Sequence, residues 1–269
     1  KNGKVVAMTG DGVNDAPAIK DAHVGVGMGI TGTDVTKSAA DIVLMDDSFS
    51  TIIIAVEEGR RIYNNIRNNI VYSLSSNFAE IFTIIIGLLS GNTILLPIYI
   101  LFIDLITDSV PSICLAFEKS EKNIMSQKPR GLNKSLFTPF IKSCFISSAI
   151  VETLFVCLTY FISLKLYNNE IAMSLALLSM VVQEIIYSIS CRNLKEPVFK
   201  QGLFSNKAMN IGLAIILLIE LLVFMTPIGK IISVESIKPS LVLIIFLINS
   251  SSFIIYELLK PLLKKVFKD

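Results

Sequence analysis

Two hydrophobic rhythms divide the chain. Over residues 5–46, short β-rich apolar runs at 5–8, 24–28 and 42–45 alternate with helical stretches at about 14–22 and 34–39. That alternation predicts a parallel sheet with crossover helices, half of a Rossmann-like doubly wound domain. Past Val71 the rhythm gives way to long apolar stretches at about 70–89, 94–117, 137–164, 171–191, 209–225 and 240–259. Each is long enough to cross the ~30 Å hydrocarbon core of a bilayer. Asp46-Asp47-Ser48 offers N-cap chemistry and no proline follows until Pro97, so one helix is expected over 50–89. At 1.5 Å per residue it measures on the order of 60 Å. Its first half carries Glu57, Glu58, Arg60, Arg61 and Arg67, and its second half is apolar. The expected organisation is an α/β segment over 1–49, a stalk helix over 50–69 and an all-α six-helix transmembrane bundle over 70–269.

Composition agrees. Of 269 residues 52% are hydrophobic and only 17% charged, with a mean hydropathy of +0.66, against about a quarter charged in ordinary soluble domains. The net charge of +2 leaves no basic face for nucleic acid. Cys114, Cys144, Cys157 and Cys191 lie in or beside apolar runs without C-x-x-C spacing, which argues for buried fillers and against a zinc site. The chain opens on Lys1-Asn2-Gly3-Lys4 with neither an initiator Met nor a signal segment, so it is expected to begin inside a larger protein.

Basic residues set the expected topology. Arg60, Arg61 and Arg67 precede the first span; Lys119, Lys122, Lys128, Arg130, Lys134 and Lys142 join the second to the third. Arg192, Lys195, Lys200 and Lys207 join the fourth to the fifth, and Lys260, Lys264, Lys265 and Lys268 end the chain. The alternate loops hold only Lys165, Lys230 and Lys238. The positive-inside bias places residues 1–69 and the C-terminus in the cytoplasm of a multi-pass protein. The lysine-rich tail reads as a stop-transfer flank that favours anionic lipid.

Candidate chemistry stands at both ends. Thr9-Gly10-Asp11-Gly12-Val13-Asn14-Asp15 follows a strand and opens a helix, where ligands bind in open α/β sheets. Gly10 and Gly12 let backbone amides approach an anion, and Asp11 and Asp15 supply hard oxygens for Mg²⁺; a plain turn with an N-cap is the alternative. Inside the spans, carboxylates are costly and mark function. Asn77 and Glu80 are three apart, and Asp104 and Asp108 four apart with Thr107 between them, so these oxygens are expected to converge on one cation. Pro111 cannot donate to the carbonyl of Thr107, which predicts an opening of the helix there. The alternative is that such groups only bond helices together. His23 is expected to end a surface helix; for Glu152 and Glu220 a bundle-facing structural or water-linked role and a part in transport are equal alternatives.

The stretch from Thr9 to Ala18 resembles the hinge signature of P-type cation-transporting ATPases, whose phosphorylation domain has the haloacid dehalogenase fold. The resemblance runs on through residues 25–28, 40–49 and Glu57-Glu58-Gly59-Arg60 into the spans, and covers essentially the whole chain. It implies that Asp11 binds the Mg²⁺ accompanying an acyl-phosphate, with Asn14 and Asp15 shaping the phosphate pocket. The family's Asp-Lys-Thr-Gly-Thr motif is absent, so the chain is expected to be a C-terminal portion that does not turn over ATP alone; ATP would be held mainly by domains outside it. Ser76-Asn77-Phe78-Ala79-Glu80 and 104–111 are similar to the ligand segments of calcium and sodium/potassium pumps. By the same resemblance Glu184 is a ligand, or Gln183 if the alignment shifts by one. A calcium pump of a bacterial plasma membrane is the leading reading. A sodium/potassium- or proton-type pump, a membrane-tethered phosphatase and a non-catalytic regulator are the rivals, and heavy-metal pumps are disfavoured by the absence of a Cys-Pro-Cys site.

Overall fold

The computed structural model describes residues 4–121, 123–129, 131 and 135–267. Lys1, Asn2, Gly3, Lys122, Arg130, Lys134 and Lys268, used above for the chain start and the topology, lie outside the described residues. The chain divides into two compact units, Lys1–Tyr63 with Ser120–Ser135, and Asn64–Lys119 with Leu136–Asp269.

The first unit holds a three-stranded parallel sheet, β1 (Ala7–Gly10), β2 (Val24–Met28) and β3 (Ile42–Leu44), in that order. Helices α1 (Ala16–Asp21) and α2 (Asp34–Ala39) make the crossovers. The register pairs Ala7 with Val24, Gly10 with Gly27 and Val26 with Ile42. β1 therefore sits two residues later than the apolar run suggests. Val5 and Val6 stay exposed, and Val6 instead bonds to His23 through its amide and its carbonyl.

A single carboxylate ties this sheet together. Asp47, held at φ 49°, accepts from the amides of Gly29 (2.6 Å), Ile30 (2.9 Å) and Thr31 (2.7 Å) and from the Thr31 hydroxyl (2.7 Å). Asp46 takes the capping work alone, accepting from the Ser48 amide and the Thr51 hydroxyl. The Ile30 amide leads the donors that pull the Asp47 carboxyl down to about 2. A depressed folded value means that the contribution to stability is complete above the ordinary carboxylate range near 4 and is lost as pH falls toward 2. Amide exchange at Gly29–Thr31 in the whole chain is expected to stay slow from pH 7 to about 4 and to quicken below it. In Asp47→Asn it is expected to be fast throughout; equal protection in the two proteins would remove this role.

Helix α3 (Phe49–Leu89) runs unbroken for 41 residues, as the capping signal and the lack of proline predict. Its residues to Tyr63 belong to the first unit and the rest to the second. Gly91, at φ +71°, ends it: Asn92 donates back to the Gly87 carbonyl (2.9 Å) in the left-handed close that glycine adopts at no cost.

In the second unit follow α4 (Pro97–Phe102), a π-helical turn (Ile103–Asp108), α5 (Ser109–Ala116), α6 (Pro139–Leu166), α7 (Asn169–Cys191), α8 (Lys207–Met225), α9 (Pro239–Ser250) and α10 (Ser252–Val266). Among the described residues, six helical stretches are long and apolar enough to cross a membrane: Phe49–Leu89, Pro97–Ala116, Pro139–Leu166, Asn169–Cys191, Lys207–Met225 and Pro239–Val266. The bundle is apolar outside. Ile146, Ile150, Leu154, Leu158 and Ile162 make an exposed stripe along α6, while Ser148, Glu152, Thr153 and Ser163 of the same helix are buried. In water that arrangement would be unstable; in lipid it is what packing demands.

α7 is buried on nearly every side and is the axis of the unit. Polar contacts fasten its neighbours to it: Ser179 donates to Asn249 (2.6 Å), the Gln183 amide to Asn249 (3.0 Å), and the Tyr256 hydroxyl to Gln183 (2.9 Å). The last span bends at Ser251, where the Ser250 and Ser251 hydroxyls bond back to helix carbonyls.

Two basic groups counted above as loop charges are interior. Arg192, 2% exposed, forms a two-point ion pair with Glu118 (2.7 and 3.0 Å). Lys260 is buried against Glu257 and the Ser190 carbonyl. The tail is therefore not uniformly a lipid-facing flank. Charge counting along a sequence sees position and sign but not a tertiary partner. All four cysteines are buried, as expected of apolar fillers.

Candidate functional site

At the C-terminal end of β1 the loop is braced from within. Asp15 accepts from the amides of Asp11 (3.2 Å) and Gly12 (3.0 Å), and the Thr36 hydroxyl donates to the carbonyls of Asp11 and Gly12. The Gly12 amide, expected to cradle an anion, is thus committed to Asp15. Gly10 serves proximity instead: a Cβ there would stand 2.5 Å from that of Asp15. Asp15 holds the loop's shape, and Asp11 and Asn14 remain exposed above it.

The second place lies where α3, the π turn and α7 meet. Glu184 of α7, fully buried, accepts from the hydroxyls of Ser76 on α3 (2.8 Å) and Thr107 on the π turn (2.7 Å). Gln183 points elsewhere, to Asn249 and Tyr256. Beside Glu184 stand Glu80, 6% exposed, and Asp108, 9% exposed. Glu80 Oε1 and Asp108 Oδ1 are buried with no hydrogen-bond partner.

Asn77 is exposed on α3; Asp104 is exposed as well, but lies within electrostatic reach of both Glu80 and Asp108. Three residues of α-helix turn about 300°, so Asn77 stands about 60° round from Glu80, enough to carry it off the buried face. Residues 103–108 are wound as a π-helix rather than opened at Thr107, and the Ser109 hydroxyl donates to the Asp104 carbonyl (2.7 Å). Pro111, buried in the first turn of α5, has no amide to close an ordinary α turn, and the wider π turn accommodates it. Among the described residues no three Asp, Glu, His or Cys side chains come close enough to hold a metal ion by themselves. Hydroxyls or further groups must therefore complete any cation shell here.

Residues 92–262 match the family described as cation transporting ATPase, C-terminus. The chain belongs to the P-type cation-transporting ATPases. It is 39% identical over 246 residues to calcium-transporting ATPase 1 of Bacillus cereus, covering 84% of this chain and 27% of that protein. It is 38% identical over 244 residues to the calcium-transporting ATPase of Bacillus subtilis, covering 89% and 27%. To potassium-transporting ATPase alpha chain 2 of Homo sapiens it is 36% identical over 258 residues, covering 81% and 25%. The chain spans about a quarter of the length of these curated relatives.

Two further groups near Glu184 are left without a definite role by the sequence alone, Ser76 within its segment and Glu152 between structure and transport. Ser76 lies one turn before Glu80, a spacing that puts both on one face of α3. Glu152 of α6 is fully buried, and neither of its carboxylate oxygens has a partner. The exposed stripe 146, 150, 154, 158 would have signalled it, because a lipid face so regular leaves Glu152 pointing inward. Glu220 of α8, likewise buried and unpartnered, faces a cavity of about 270 Å³ lined by Leu178, Val182, Leu221 and Phe246, away from these residues.

Proposed function

We propose that this chain supplies the intramembrane cation site and part of the phosphorylation site of an ATP-driven calcium pump. The supporting observation is the meeting of α3, the π turn and α7 on Glu184, beside two carboxylates whose buried oxygens lack partners. A buried, unpaired carboxylate is expensive unless protonated or matched by a cation. Glu80, Thr107, Asp108 and Glu184 supply the hard oxygens that Ca²⁺ prefers. Asp104, exposed but within electrostatic reach of Glu80 and Asp108, adds a further carboxylate at the edge of this set.

In this reading the segment over 1–49 is the end of a haloacid dehalogenase-like domain and lies in the cytoplasm with the C-terminus. Its residues fit Mg²⁺, which is commonly held by one or two protein oxygens and substrate phosphate. Asp11, exposed at the strand end, and Asn14 beside it would hold the ion; bound there, Mg²⁺ neutralises charge on the transferring phosphoryl group. Asp15 keeps Asp11 in place through the loop amides. Helix α3 runs without a break from the first unit to Ser76 and Glu80 in the second.

Calcium is favoured over potassium by the number of carboxylates and by the names of the bacterial relatives. In the complete ATPase carrying this chain, micromolar Ca²⁺ is expected to drive phosphoenzyme formation from ATP, and K⁺ is not. Phosphorylation that ignored Ca²⁺ and answered to K⁺ or pH would replace calcium by the alternative cargo.

A further inference from the structure

The proposed ligands come from α3, the π turn and α7, yet the most completely enclosed carboxylate near them belongs to α6. Glu152 is 0% exposed, and both of its oxygens are buried without a hydrogen-bond partner. Its backbone neighbour is anchored beside the pocket. Thr153 donates from its hydroxyl to the Ala79 carbonyl on α3 (3.3 Å), one residue before Glu80. Glu152 lies within electrostatic reach of Asp108, Glu80 and Glu184.

A structural role would show itself in partners. Two other interior carboxylates of this unit have them: Glu118 is held by Arg192, Asn206 and Gln201, and Glu257 by Lys260, Ser190 and the Val198 amide; Glu220 has none, but it faces an apolar cavity away from the other carboxylates. Glu152 has no such partner. A carboxylate in that condition, placed near three others, must either hold a proton or meet a positive charge from outside the protein.

We propose that Glu152 is a cation-binding residue, extending the site from α3, the π turn and α7 onto α6. It shares the charge of the bound cation with Glu80, Asp108 and Glu184. The ligand is the transported hard cation; since no three carboxylates among the described residues, Glu152 included, come close enough to hold an ion by themselves, hydroxyls such as Thr107 and water complete the shell. This inference rests on the reading under Proposed function.

The test is a Ca²⁺ titration of phosphoenzyme formation from ATP in the complete pump, on wild type, Glu152→Gln and Glu80→Gln. Phosphorylation from inorganic phosphate without Ca²⁺ serves as the measure of folding. Glu152→Gln is expected to raise the half-saturating Ca²⁺ concentration about ten- to a hundredfold, the scale for losing a group that supports a metal, while phosphorylation from phosphate persists. An unchanged Ca²⁺ dependence in Glu152→Gln, with Glu80→Gln unresponsive to Ca²⁺, would overturn this inference and leave the pump reading standing. Normal Ca²⁺ dependence in both variants would overturn the pump reading itself. If Glu152→Gln does not accept phosphate, Glu152→Asp decides: it keeps the charge but shortens the reach, so its Ca²⁺ requirement is expected to rise, and a wild-type requirement would end the proposal.

Discussion

Asp108→Asn, and separately Glu80→Gln, are expected to abolish cation-dependent phosphorylation from ATP in the complete pump, while phosphorylation from inorganic phosphate survives. Each change keeps the volume and removes the charge. Both side chains are buried with an oxygen that no protein group satisfies, so the amide loses little packing and most of the attraction for a hard cation. The requirement for cation is expected to rise by at least about a hundredfold, the upper end for lost metal-site groups. Phosphate acceptance depends on the loop at Asp11 and Asp15, in the other unit, and is spared. Ion-stimulated phosphoenzyme at wild-type cation concentrations in both variants would show that these carboxylates serve only the packing of helices.

The second large effect concerns stability. Arg192→Ala removes a guanidinium that makes two bonds to Glu118 and further bonds to the Leu203 carbonyl and the Ser205 hydroxyl. Glu118, 1% exposed, keeps the bonds from Asn206 (2.9 Å) and Gln201 (3.2 Å) but loses a two-point guanidinium partner. Stranding one partner of a buried pair costs about 3–5 kcal/mol, whereas replacing both with apolar groups is often neutral. Arg192→Ala is therefore expected to lower the thermal midpoint in detergent by several degrees, and Arg192→Met with Glu118→Leu to restore most of it. Additive losses in the double variant would deny the coupling. The pair also joins elements far apart in sequence, since Asn68 of α3 donates to the Arg192 carbonyl and Asn65 to that of Glu118.

Much of this was readable before any coordinates. Helix α3 declared itself by a cap and by forty residues without proline, and the six spans by apolar length; both depend on local physics that a sequence carries directly. The alternation of strands and helices over 1–46 did likewise, to within two residues at β1. Side-chain partners were less legible. Gly12 looked free to receive an anion because nothing in the sequence shows Asp15 folding back to occupy its amide. Arg192 and Lys260 read as surface charges because their partners, Glu118 and Glu257, are identified only by tertiary packing. Four-residue spacing put Asp104 with Asp108, and the two do stay within electrostatic reach, but the spacing did not show that Asp104 would be exposed while Asp108 is buried. Glu184 was separated from Gln183 only when Ser76 and Thr107 were seen to donate to it.

The π turn at Ile103–Asp108 holds a spare residue: it has one more amino acid than an α turn of the same closure. Taking up that slack would revolve the segment on one side of it by about 100° relative to the other, the step of a single α-helical residue. Thr107 and Asp108 would then trade places with neighbours such as Ile106 and Ser109 on the inner wall. A helix wound in this way can change which atoms it offers inward by a shift of winding alone, with both of its ends left in place.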